Sequence, residues 1–322
     1  MYTARCGHSC GPAAANTTVN STLQQLLAAL RASVRHRVWI CSDLQQWDPK
    51  TAEHILNTVF ADFHSLDLPC EEVWNLGDTT DGKDPGRMRE TVLLQAERFE
   101  SLGVPLAYTC GNHDFDYFKK ETSGGVEAVP AWKLLRDRPA WRTSRRLEDF
   151  YFTFDMGDYR VFLFGDHAAA DGRWIVTHGK VHGDAEAYPH TPEAYDAVRK
   201  NMAEHEGPVI SLGHYAYPGG NRPSPLMERL LPLPDNVRAH FYGHAHLGES
   251  RLLGEHNFRK IAYVDHQHVP QLDIAALEDR KGTRLRSVFL EIYLDGTFGI
   301  YFRNHSGKTW EEAFFLDPGR RP

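Results

Sequence analysis

The chain lacks several features that would have settled its class at once. It has no long apolar run: the longest purely apolar stretches are a few residues, against the roughly 20 that a helical membrane span needs. It has no basic excess. Its 36 Lys and Arg face 43 Asp and Glu, a formal net charge of −7, so no broad positive field is available to hold a nucleic-acid backbone. Short basic runs such as Arg142-Thr-Ser-Arg-Arg146 read as solvated surface. Cysteine is scarce and odd in number: Cys6, Cys10, Cys41, Cys70 and Cys110. Three of these lie in or beside predicted strands, which suits free thiols in a reducing compartment better than a disulfide framework; a cytoplasmic location is the expectation. The first residues, MYTARCGHSCGPAAANTT, lack the apolar core of a secretory signal. Residues 1–19 read as a flexible leader, and Cys6, His8 and Cys10 within it have no closing ligand or hydrophobic support for a metal. Internal repeats and low-complexity tracts are absent.

What is present is an ordinary globular composition, 41% hydrophobic and 25% charged over 322 residues, read as one domain over residues 20–322. Leu23, Leu26, Leu27 and Leu30 predict a helix from Ser21 to Arg35. Strands at Arg37–Ser42, Glu72–Leu76 and Pro105–Cys110 alternate with helices at Thr51–Ser65 and Arg87–Leu102. This βαβαβ order implies a parallel sheet. Residues 115–148 are less regular and read as a cap insertion with a short helix near Trp132–Leu135. Phe150–Asp155 and Arg160–Phe164 form a hairpin, a helix covers Pro192–His205, and strands follow at Val209–Leu212, Ala239–Tyr242 and Lys260–Asp265. A hairpin at residues 285–304, from Ser287–Leu294 and Phe298–Asn304, turns through Asp295-Gly296.

Five short blocks are rich in Asp, Asn and His: Asp43-Leu44-Gln45, Gly77-Asp78-Thr79-Thr80-Asp81, Gly111-Asn112-His113-Asp114, Gly213-His214 and Gly243-His244-Ala245-His246. Each follows a β-forming run (VWIC, EEVWNL, PLAYTC, PVISL, RAHFY) and so sits where a strand ends, the place where open α/β sheets bind ligands. A metal pair held by oxygens and imidazoles needs one bridging carboxylate, and Asp78 on its glycine turn is the candidate. Residues two apart in extended chain point the same way, which lets Asp43 and Gln45 address one metal and lets His244 and His246 reach neighbouring ones. Asn112 offers a neutral amide oxygen. His113 is free to act as an acid, with Asp114 placed to fix its tautomer.

The order D-x-Q, GD-x-x-D, GNHD, GH, GHxH resembles the calcineurin-like metallophosphoesterase superfamily over residues 38–246. The resemblance implies a four-layer α/β/β/α sandwich with two mixed sheets and a site for two divalent ions. Carried over by position, it implies Asp43, Gln45, Asp78 and His246 around the first metal and Asp78, Asn112, His214 and His244 around the second, with His113 protonating the leaving oxygen. The chain departs from the usual D-x-H at Gln45. A neutral oxygen donor in place of an imidazole moves preference from zinc toward manganese, with iron and magnesium as further choices. Proteins similar to manganese-dependent ADP-ribose/CDP-alcohol diphosphatases share the D-x-Q block.

The function expected is metal-assisted hydrolysis of a small-molecule phosphate ester, as a phosphodiesterase ahead of a phosphomonoesterase. The competing readings are a nuclease of the same superfamily and a non-catalytic binding scaffold. Tyr215 and Asn221, beside His214, are the substrate-pocket candidates. His167, His178, His182 and His190 carry no comparable signal, and Asp265-His266-Gln267-His268 reads as a loop. Specificity is expected from residues 115–148, 171–192 and 215–225.

Overall fold

The computed structural model describes residues 33–46, 48–81, 85–114, 131–143, 151–165, 192–246, 259–278 and 284–317. The leader, the helix expected to start at Ser21 up to residue 32, the Cys6/His8/Cys10 group, His167, His178, His182, His190 and residues 171–191 lie outside them. Thirteen strands and five helices are described. The strands are β1 (Val34–Cys41), β2 (Glu72–Asn75), β3 (Leu106–Tyr108), β4 (Trp141–Arg142), β5 (Tyr151–Met156), β6 (Tyr159–Phe164), β7 (Val209–Gly213), β8 (Val237–Tyr242), β9 (Ile261–Tyr263), β10 (Pro270–Asp273), β11 (Arg286–Tyr293), β12 (Phe298–Asn304) and β13 (Thr309–Leu316). The helices are α1 (Pro49–Ser65), α2 (Pro85–Glu100), α3 (Ala131–Leu135), α4 (Pro192–Glu204) and α5 (Pro225–Glu228).

The strands form two mixed sheets, ordered β13-β12-β11-β1-β2-β3-β4 and β5-β6-β7-β8-β10-β9. Strand β1 shows why. Val38 and Ile40 face the second sheet while Trp39 faces the helices, and all three are fully buried. A strand covered on both faces reads as an unbroken apolar run rather than an alternation. Between the sheets, Val38, Ile40, Trp74, Leu163, Ile210, Leu212, Phe241, Val288 and Leu290 form one cluster. On the outer face of the first sheet, Trp39 stacks on Phe63 of α1 with centroids 4.5 Å apart. Helix α1 starts where Asp48 accepts the Thr51 N–H and Pro49 needs no donor. Helix α4 supplies Tyr195, Val198 and Met202 to the outer face of the second sheet. The layers are therefore α/β/β/α.

The described part of the expected cap, residues 131–143, belongs to the sandwich instead. Strand β4 joins the edge of the first sheet parallel to β3. Trp141 packs edge-on against Phe99 and Tyr108 and donates its indole N–H to Glu100. Arg142, read as solvated surface, donates to Glu72 and lies over the Phe154 ring. Strands β10 and β13 were not expected: β10 is four residues long and opens with Pro, and β13 carries Glu311 and Glu312 in its middle. The Asp295-Gly296 turn joins β11 to β12 as expected, with Gly296 at φ 84°.

One polar network is sealed under α1. Arg303 donates to both Asp62 oxygens at 2.8 and 2.6 Å. His305 meets Asp62 through Nδ1 (2.9 Å) and Ser287 through Nε2 (2.7 Å), and Trp39 donates to the same Ser287 oxygen. The Asp62 carboxylate, paired with Arg303, can only accept, so Nδ1 carries the hydrogen given to it; in the neutral ring Nε2 is then the acceptor, and the Ser287 hydroxyl donates to it while accepting from Trp39. The network closes with a neutral His305. Burial pushes His305 down to about 4, outweighing the pull of Asp62, whereas an unfolded histidine titrates at about 6.5. The folded chain therefore binds fewer protons between these values, and stability that is full above about pH 6.5 falls as the pH drops toward 4. Thermal melting across this range should show a falling midpoint. His305→Gln, which keeps one donor and one acceptor, should flatten the fall; an unchanged slope would remove His305 as its source.

Candidate metal centre

The loops after β1, β2 and β3 of the first sheet and after β7 and β8 of the second meet at one end of the sandwich. There the structure groups Asp43, Asp78 and His246, and beside them Asp78, His214 and His244; within each group one ligand atom per residue lies within 4.8 Å of the others. Asp78 is common to both. The structure thus brings together the carboxylates and imidazoles that the sequence blocks suggested, with Gln45 and Asn112 buried in the same loops.

The backbone holds them by a route different from the one expected. Asp43, Gln45, Asp78, His244 and His246 have φ of 55°, 45°, 51°, 64° and 49°. They are left-handed, not extended, so the two-residue spacing works through tight turns rather than through strand alternation. Such conformations cost non-glycine residues about 1–3 kcal/mol each and persist where surroundings over-determine them. The surroundings here are specific. Asp43 N–H donates to Gly77 O and Gln45 N–H to Asp78 O, which locks the first two loops together. His244 N–H donates to Asp43 Oδ2 (3.0 Å) and His113 N–H to Asp78 Oδ1 (2.7 Å). A Cβ on Gly111 would collide with the Asp78 carboxylate, and one on Gly77, at φ 95°, with the Gly111 backbone.

The side chains present what a cation needs. His214 Nδ1 lies 2.7 Å from the Leu76 carbonyl, so it carries a hydrogen and turns Nε2 toward Asp78 Oδ2, 3.3 Å away. His246 Nε2 is 3.1 Å from Asp43 Oδ1, and its other nitrogen, Nδ1, is 2.6 Å from Oε1 of Glu278. Asp43 Oδ1, Gln45 Oε1 and Asp78 Oδ2 are buried acceptors with no hydrogen-bond donor. Leaving such groups unsatisfied costs about 1–3 kcal/mol each, more when charged, and a divalent cation would satisfy all three. Protons partly take that place otherwise. Burial pulls His214 down but Asp78 outweighs it, pushing the imidazole up to about 10. Burial and the neighbouring His214 drive His244 well below the usual histidine range. The carboxylates and imidazoles therefore fit two divalent ions, Asp43, Asp78 and His246 for one and Asp78, His214 and His244 for the other, with Gln45 and Asn112 buried beside them.

Other expectations fare differently. Asp114 was expected to fix the His113 ring. Instead its Oδ1 accepts from Thr79 N–H, the Thr79 hydroxyl and Thr80 N–H, and its Oδ2 from the Tyr108 hydroxyl and Gly111 N–H. It ties the β2 and β3 loops, and burial with the charge of Asp78 pushes it up to about 6. The carboxylate beside His113 is Asp81, 3.6 Å from Nδ1; the second Asp of GD-x-x-D was the available signal. Tyr215 packs on the candidate ligands, its ring 4.5 Å from that of His244 and its hydroxyl 3.4 Å from Asn112 Oδ1. Asn221 is held within the protein: its amide donates to Arg259 O and Asp273 Oδ2 and accepts Arg259 N–H. Asp265, His266 and His268 lie exposed in the β9–β10 connection. Glu278 had no legible signal, because it sits in a charged stretch, LEDRK, that reads as surface.

A family model described as calcineurin-like phosphoesterase matches residues 36–248. No curated protein matches by sequence. Among solved structures, a dimetal phosphatase from Danio rerio superposes with a TM-score of 0.60 at 13% identity, covering 88% of this chain and 98% of that one; that likeness shows the fold. A purple acid phosphatase from yellow lupin (Lupinus luteus) seeds gives 0.43 at 13% identity, with 87% of this chain and 53% of that one covered. A Haemophilus influenzae NAD nucleotidase gives 0.44 at 11%, covering 86% and 53%.

Because Asp78 belongs to both groups, Asp78→Asn should lose both ions on dialysis, read by elemental analysis. Retention of two ions would remove Asp78 from the bridging position. Gln45→His should raise zinc retention in the first group, since imidazole suits zinc better than an amide oxygen does. Unchanged metal content and preference would mean that Gln45 donates to neither ion.

Proposed function

We propose, for a chain that belongs to the calcineurin-like phosphoesterase family, that it hydrolyses a small-molecule phosphate ester, a phosphodiester ahead of a monoester, with manganese the ion best suited to the site. Metal-dependent phosphoester hydrolysis is the family's chemistry; the rest is our reading. The observation that carries it is the placing of His113. The candidate ligands Asp43, Gln45, Asp78, Asn112, His214, His244 and His246 are all at most 5% exposed. His113 is pinned to the shared carboxylate by its own N–H, yet its side chain is 29% exposed. It is a titratable group at the wall of the site, available to an incoming molecule and not consumed in holding an ion.

When bound, two divalent ions would supply charge stabilisation for a phosphoryl group and acidify water. His113 then has one task, to give a proton to the oxygen that leaves, so that an alcohol rather than an alkoxide departs. Asp81 stands 3.6 Å from Nδ1, a carboxylate beside the ring. The preference for manganese rests on Gln45, which makes the first donor set three oxygens and one imidazole. The formal charge of −7 argues against a nucleic-acid groove and for a small substrate.

Hydrolysis of bis-p-nitrophenyl phosphate against p-nitrophenyl phosphate, with manganese added, tests the reading. Turnover of the diester above the monoester is expected, the reverse order would make it a monoesterase, and no turnover of either would favour the scaffold. His113→Ala should slow turnover by about 10²–10⁴-fold, the usual worth of a general acid, for alkyl leaving groups. The loss should shrink for p-nitrophenol, which leaves without a proton. Equal losses for both would argue against the role.

A further inference from the structure

We propose that Glu278 is a positioning residue that compensates for Gln45: its carboxylate strengthens His246 as a donor to the first metal, where the neutral amide of Gln45 gives less than an imidazole would. The inference rests on the two-ion reading of the site. Glu278 lies 30 residues beyond the segment that the family model matches, so the family's motifs do not account for it.

The fold carries Glu278 to the site deliberately. Segment 274–278 leaves β10 of the second sheet and crosses to the end of β1 in the first. Ala275 N–H donates to Asp273 Oδ1, Ala275 takes φ 66°, Arg286 N–H donates to Ala276 O, and Leu277 N–H donates to Ser42 O. Ser42 precedes Asp43, so the segment ends against the first donor group. Glu278 is 0% exposed and its Oε1 lies 2.6 Å from Nδ1 of His246, whose Nε2 faces Asp43. A carboxylate with no solvent contact is costly unless charge nearby offsets it. Asp43 and Asp78 are buried carboxylates in the same group, and Glu278 adds a third behind the His246 ring. A dication in that group offsets all three.

The chemistry gives the direction. The 2.6 Å approach of Glu278 Oε1 to His246 Nδ1 is an ion-pair contact outside hydrogen-bond geometry; a ring that turns to give its Nδ1 hydrogen to that carboxylate has its tautomer fixed and its Nε2 made a stronger donor. His214, in the second group, has the Leu76 carbonyl at its Nδ1. The charged partner therefore stands beside the group that contains Gln45, and the neutral partner beside the group that does not.

Manganese titration of the metal-free full chain by calorimetry, with no substrate, tests this. Glu278→Gln should weaken the first site by about 10–100-fold, the usual effect of losing such a partner, and leave the second near its original affinity. Glu278→Asp, which keeps the charge, should weaken it less. The loss should be smaller in a Gln45→His background, a coupling that a double-mutant cycle isolates. Equal weakening of both sites, equal losses in the two backgrounds, or no loss at all would each overturn the proposal. Circular dichroism melting of the metal-free variants separates misfolding from lost affinity. Failure of the two-ion reading would show itself differently, as a single binding event in the unmutated chain.

Discussion

Everything at this end of the molecule is arranged around one buried carboxylate. Asp78 has no exposed surface, and the charge it keeps there must be met by groups that are already in place. His113 N–H meets Oδ1 and His214 Nε2 approaches Oδ2, while the Asp78 carbonyl accepts from Gln45. Burial alone would raise its pKa, yet the imidazoles of His214 and His113 outweigh that and hold it far below the usual carboxylate range. A buried anion of this kind is destabilising unless paired. Its partners are therefore structural requirements as well as chemical ones.

Those partners come from both sheets, which couples the site to the whole sandwich. The left-handed backbone at Asp43, Gln45, Asp78, His244 and His246 opposes folding, and the cluster of Val38, Ile40, Trp74, Leu163, Leu212, Phe241 and Leu290 between the sheets is what holds the strand ends in register against it. Small shifts between the sheets would separate His214 and His246 from Asp78 and Asp43. The metal centre is in that sense a readout of how the two sheets pack.

Three of the buried carboxylates outside the proposed ligand set, Asp62, Asp114 and Glu278, solve the same problem in different ways. Asp62 is matched by Arg303 and a neutral His305. Asp114 is matched by hydroxyl and amide donors from the β2 and β3 loops. Glu278 has a histidine that itself faces the metal group. The first two are matched within the protein; the third is joined through His246 to the candidate metal ligands. That difference separates a structural carboxylate from one tied to the ions.

Much of this was legible in order along the chain. The β-forming runs that precede Asp43, Asp78, Asn112, His214 and His244 located strand ends, and the residue types at those ends specified oxygen and imidazole donors, because local propensity and ligand chemistry both act over a few residues. Helix α1, strand β1 and the Asp295-Gly296 turn followed from the same local rules. Long-range geometry was not legible. The sequence placed Asp114 beside His113, but folding turned it toward Thr79, Tyr108 and Gly111. It suggested extended chain at Gln45, where a left-handed turn stands, and it hid Glu278 in a stretch that looks like surface. Strand β13, polar at its centre, forms because Phe314 and Leu316 find the core beyond β12. Which donors exist was determined by the sequence alone; which of them face one another was decided only when two sheets, whose paired residues lie as far apart as Val34 and Tyr293, closed on a common core whose contacts no local pattern encodes.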